Sequence, residues 1–385
     1  MKTQKVIAVY FSGFLVGVAL VLFPAAGNLF VDMDYHGFNS AQYGSIFIPQ
    51  IALAIISSLG APRIARYVGM KRVLLYGLSC LFFSMLLMFL SNWMMPGTWD
   101  FWVILLATAF IGAGFGFSIT ALNPFAYNLF PRKETSAVTA MHIMLGLGTA
   151  SSAILLNAFI ESGHWWGAPA LVSFYALIMV VFTFFTPMEL ISDQEAPDSS
   201  KKGIPKRIWW FALAVFLYGA CEATFGNFGA VFLEREGGLS LAKASIGLSL
   251  FWGGITIGRV LFTLIALKFS TNLLYIAAPF LVSIVFFMLP SVTGEIALLA
   301  CMALGGLGLS FLFPKSISAA TDEFPEHAAL ISGALVGSIQ LGTGLSSNFL
   351  GIFNKYYPLS SLLQFSSLYA LILGVLISYL MISKK

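Results

Sequence analysis

The chain has 385 residues, of which 59% are apolar and only 9% charged, with a formal net charge of +4. Its 37 Phe outnumber its 36 Asp, Glu, Lys and Arg residues taken together, whereas a soluble domain carries charge on about a quarter of its residues. Soluble enzymes, nucleic-acid binders and disordered proteins are excluded on these figures. A spanning helix takes about 20 residues, so the length allows about twelve membrane crossings. Apolar stretches of spanning length fall at 6–31, 41–61, 73–95, 101–127, 136–160 and 168–190. They resume at 208–233, 243–267, 272–291, 295–319, 328–353 and 361–382. The runs are continuous and do not alternate, which predicts helices and not barrel strands. The first run is too long for a signal peptide and has no small-residue cleavage pattern, so it reads as the first span.

The one long polar stretch, 192–207, mixes Pro, Ser and both signs of charge, the composition of a solvated linker. It divides the chain into a half at 1–191 and a half at 208–385. Lys and Arg set the expected orientation. With the N-terminus in the cytoplasm, fifteen of the twenty basic residues fall on the cytoplasmic side, among them Lys71, Arg72, Arg132, Lys133, Lys201, Lys202, Lys384 and Lys385. Arg235, Lys243 and Lys355 fall opposite, and Arg259 and Lys315 lie within spans. Both termini are therefore expected in the cytoplasm of a bacterial-type inner membrane.

The halves carry matching marks. Phe130-Pro131, Gly148-Thr149 and Ser152 recur as Phe324-Pro325, Gly342-Thr343 and Ser346, at a constant offset of 194. Glycine-rich helices precede both sets, with Gly112, Gly114 and Gly116 in one and Gly305, Gly306 and Gly308 in the other. Two parallel six-helix halves joined by a cytoplasmic linker resemble the major facilitator superfamily. The loop after span two adds to the likeness through Gly69, Lys71 and Arg72, although Ala65 and Arg66 stand where an acid is usual. Tyr218-Gly219 and Glu222 in span seven, Trp252 and Gly258-Arg259 in span eight, and Asn123-Pro124 in span four narrow it. They resemble the fucose–galactose–glucose/proton symporter branch. That resemblance implies a monomeric transporter, with spans one, four, seven and ten lining the solute cavity and Arg259 bracing span eight. Fucose symporters keep acids in spans one and four where this chain has Leu20 and Ile119, so their proton site does not carry over.

Charged side chains inside a bilayer are costly and are candidates for function. Glu222 is the one acid deep within a predicted span. It reads either as a proton carrier or as a structural carboxyl hydrogen-bonded between helices. His142 suits proton transfer near neutral pH, or else ties two helices together. Lys315 is either a cavity cation or a lysine snorkelling to the headgroups. Asn123, Asn227 and Gln340, with Gln50 and Asn348, offer amides for a solute or for helix contacts. Trp252 offers a stacking face. Gly112/Gly116 and Gly254/Gly258 allow close helix approach, and Pro24, Pro124 and Pro314 allow bends.

Cys80, Cys221 and Cys301 lie in apolar runs, and no His/Cys set has metal-ligand spacing. No metal, cofactor or nucleic-acid partner is expected, and no catalytic pair is visible. The favoured reading is a secondary transporter for a small polar solute, sugar or sugar-like, coupled to protons. An exporter of amphipathic compounds and a non-transporting receptor or scaffold are the alternatives.

Overall fold

The computed structural model describes residues 2–97, 99–130, 134–188, 205–266 and 268–383. Most of the expected linker, together with Arg132, Lys133, Lys384 and Lys385, lies outside them. Among the described residues every regular element is helical. Eleven helices among the described residues are long and apolar enough to cross a membrane. They are α1 (Lys2–Val31), α2 (Ser40–Val68), α3 (Met70–Trp93), α4 (Asp100–Leu129), a fifth over Ala137–Glu161, α6 (Gly167–Phe185), α7 (Lys206–Arg235), α8 (Leu241–Ala266), α9 (Asn272–Ser291), α10 (Glu295–Glu323) and α12 (Leu359–Ile382). The fifth belongs to a longer helix, α5 (Glu134–Glu161). A further 26-residue helix, α11 (Ala328–Phe353), occupies the place of the remaining expected span.

The chain forms two compact units, Met1–Asp193 and Gln194–Lys385. In the first, α1 packs along α5, α2 along α4, and α3 against both α4 and α6. In the second, α7 packs along α11, α8 along α10, and α9 against both α10 and α12. The internal plan is thus the same in each.

The agreement extends to single atoms. A Cβ on Gly148 of α5 would lie 2.2 Å from Phe14 O and 2.9 Å from Val18 N of α1. A Cβ on Gly342 of α11 would lie 2.0 Å from Phe216 O and 3.1 Å from Ala220 N of α7. Only glycine lets these backbones approach so closely. Ser152 Oγ then donates to Val18 O at 2.9 Å, and Ser346 Oγ to Ala220 O at 3.2 Å. Gly148 with Ser152, and Gly342 with Ser346 at an offset of 194, are therefore contact residues of two equivalent helix pairs.

Two spans are interrupted near prolines that the sequence marked as places for bends. In α1 a turn at Ala26 follows Pro24. In α10 the helix stops at Leu309 and restarts at Leu312. Pro314 has no N–H to give the carbonyl of Ser310, four residues back, so the ladder opens there. At the other extreme, α2 and α3 are joined by Gly69 alone, whose φ of 84° is unfavourable for any side chain.

Candidate functional site

In the second unit Glu222 of α7 has a hydroxyl donor and a nearby positive charge. Tyr218 and Glu222 stand one turn apart on α7, so their side chains share a face. The Tyr218 hydroxyl donates to Glu222 Oε2. Tyr218 is buried, and its ring stacks on Phe313 of α10 at 6.1 Å between centroids and 16° between planes. The charge of the Arg259 guanidinium of α8 acts on both Tyr218 and Glu222. Arg259 Nε also donates to Ser310 O at 3.0 Å. That carbonyl is the one Pro314 leaves without a helical partner. Arg259 thus links α8 to α10 through a backbone carbonyl that lacks its helical N–H.

The cation beside Glu222 is thus Arg259. His36–Asp100, Arg207–Glu323 and Lys243–Glu295 are ion pairs, and Lys315 makes none among the described residues. Lys315 follows Pro314 on α10 and is half-buried. Asn227 lies a turn beyond Glu222 and donates to Ser347 Oγ of α11 at 2.8 Å. Just before it, Thr224 Oγ1 lies 3.3 Å from Ser346 Oγ. These contacts tie α7 to α11. Trp252 packs its indole over Gly226, with Nε1 buried and without a partner among the described residues. Gln340 is half-buried on α11, and Arg72 is exposed just after the Gly69 turn.

In the first unit α4 and α5 bring Asn123 and His142 together. Asn123 Nδ2 donates to Ile119 O at 3.1 Å, which turns Oδ1 toward His142 Nε2 at 3.0 Å. With the amide in that orientation, Nε2 carries the proton that meets Oδ1.

A second buried pair had no sign in the span pattern. His36, in the segment between α1 and α2, contacts both oxygens of Asp100 at the start of α4, at 2.9 and 2.8 Å. Both side chains are fully buried. Phe30, Phe38 and Trp165 surround the imidazole at 5.0 to 5.4 Å. Residues 64 apart cannot be paired by local spacing. Tyr218, by contrast, was legible as the i−4 neighbour of Glu222.

Two bundles of one internal plan, each stapled by close helix contacts, define a duplicated multi-pass membrane transporter. The Major Facilitator Superfamily model matches residues 6–347, and the chain belongs to that family. The glucose/mannose transporter GlcP of Bacillus subtilis is 22% identical over 312 residues, covering 76% of this chain and 74% of that protein. A glucose/galactose transporter of Brucella abortus is 26% identical over 183 residues, 43% of each chain. Among solved structures, the nucleoside transporter NupG superposes with a TM-score of 0.76 at 15% identity, over 99% of this chain and 100% of its own. A single-residue variant of the E. coli fucose:proton symporter FucP gives 0.62 at 15% identity, over 98% and 97%. These structural likenesses share the fold.

Proposed function

We propose that this chain is a proton-coupled secondary transporter of a small neutral polar solute of the hexose class, working by alternating access. The termini and linker face the cytoplasm, and the chain works as a monomer. The observation that carries the reading is the α7 carboxyl of Glu222, held by a hydroxyl donor and beside a guanidinium. A membrane carboxyl so placed can hold a proton when enclosed and release it when hydrated, with Tyr218 and Arg259 stabilising the ionised form. The sugar class rests on the names of its relatives. The neutral amides of Asn123, Asn227 and Gln340 are suited to hydroxyls. Glu222 and His142 are the proton-coupling groups in this reading, with Glu222 foremost.

The test is uptake into proteoliposomes of D-glucose, D-galactose, D-mannose, L-fucose and nucleosides, with and without an imposed pH gradient. Accumulation of one hexose above equilibrium only under the gradient is expected. Uptake of nucleosides alone would overturn the sugar class. Accumulation indifferent to the gradient would overturn the coupling. Movement of amphipathic dyes outward, with no hexose uptake, would favour the exporter.

A further inference from the structure

We propose that Arg259 is a positioning residue that couples the charge on Glu222 to the bend in α10. The inference rests on the reading that Glu222 changes protonation state, and extends it to a part of the fold that Glu222 does not touch.

Two hydrogen bonds lie at either end of one electrostatic line. Tyr218 donates to Glu222 and stacks on Phe313 of α10, Arg259 Nε donates to Ser310 O three residues before Phe313, and the charge of Arg259 acts on the Tyr218–Glu222 pair. The last contact sits at the interruption of α10 between Leu309 and Leu312. Ser310 O has no helical N–H available, because residue 314 is proline. A carbonyl within the membrane needs a partner, and Arg259 is the one it has. The same break is gripped elsewhere by α8. Phe311 stacks on Phe262 at 4.2 Å, and a Cβ on Gly258 would lie 2.3 Å from Ser310 Oγ.

The charge balance gives the direction. While Glu222 is ionised, the guanidinium has a compensating negative charge one phenol away. Protonation of Glu222 removes that charge and leaves a half-buried cation with only neutral acceptors. A membrane cation without a counter-charge is strongly disfavoured and is drawn to water or another anion. As Arg259 leaves, Ser310 O loses its donor and no backbone N–H can replace it, so α10 is released to bend. The other titratable groups on the surrounding helices are placed differently. Cys221 of α7 is buried, and Tyr369 lies on α12. Tyr275 of α9 is bonded to Ser316 at 2.6 Å. Lys315 of α10 is in no ion pair among the described residues.

The test needs no solute. Hydrogen–deuterium exchange is measured on the full chain in lipid nanodiscs at one pH, and the amides of residues 309–318 are compared with those of α1 to α6. Glu222→Gln, which imitates the protonated form, should raise exchange in 309–318 about fivefold, the change expected from one lost hydrogen bond. Arg259→Lys should raise it similarly, because a lysine cannot serve the carbonyl and the phenol with a planar fork. Glu222→Asp should stay near wild type. Pro314→Ala restores an N–H for Ser310 O and should cancel the effect of Glu222→Gln in the double variant. Unchanged exchange in Glu222→Gln would overturn the proposal, as would a rise that persists with Pro314→Ala. Altered exchange throughout α1 to α6 marks a misfolded variant, and the Pro314→Ala pair then decides. If the pH gradient drives no transport yet Glu222→Gln opens the break, the proton reading fails and this coupling stands. If transport is proton-driven and the break is unaffected, the coupling falls alone.

Discussion

Glu222 occupies in the second unit the place that Leu20 holds in the first. Gly17 and Gly219 make the same close approach, to Leu145 O of α5 and Ile339 O of α11, and Val18 O and Ala220 O accept the equivalent serines. Each pair stands 202 apart, which aligns position 20 with 222. Fucose symporters resemble this chain but keep an acid at the place of Leu20. In this chain the acid stands at the equivalent position in the other half, beside a tyrosine and an arginine.

The first prediction follows from that relocation. Glu222→Gln keeps shape and hydrogen bonding but cannot release a proton. It should abolish pH-driven accumulation while equilibrium exchange of solute stays within about threefold, since the loss is confined to the step that needs charge. Counterflow and gradient-driven uptake, measured on the same vesicles, separate the two. Full accumulation by the variant would transfer the role to His142.

Tyr218→Phe tests the donor separately from the ring. The Phe313 stack survives and one hydrogen bond to a charged group is lost, a contribution of about 1.5–3 kcal/mol. Gradient-driven uptake should fall about tenfold or more, with a moderate drop in melting temperature. Tyr218→Ala should lower both.

His142→Ala strands Asn123 Oδ1 in a half-buried site, at a cost of about 1–3 kcal/mol. His142→Gln retains an N–H donor and should recover the melting temperature. If His142 only ties α4 to α5, both variants accumulate solute under a gradient. Loss of accumulation in the stable His142→Gln variant would show a proton role.

The His36–Asp100 pair is fully buried, and breaking such a pair from one side costs about 3–5 kcal/mol. Asp100→Leu should therefore lower thermal stability markedly. The double change His36→Phe with Asp100→Leu should recover much of it, because no uncompensated charge remains. Thermal unfolding followed by fluorescence on the detergent-solubilised protein distinguishes these outcomes.

Reporter fusions after Lys202 and at the C-terminus should both report the cytoplasm. A signal from the opposite side at either position would reverse the orientation inferred from Lys and Arg.

Composition and run length were sufficient for the membrane class and the helical content, because a bilayer accepts only long apolar segments whose backbone bonds are internal. The repeat marks were legible because close packing admits few residues. Gly148 and Gly342 face backbone atoms that any Cβ would strike. Glu222 stood out for the cost of charge in the membrane. Its charged neighbour did not, since Arg259 lies on α8 and comes to act on α7 only when the bundle closes. His36 and Asp100 were hidden for the same reason, being joined across 64 residues by packing alone. A sequence records which groups are too costly to leave unpaired. Which groups satisfy them depends on helix rotation and register, and those are set by the packing of the whole unit.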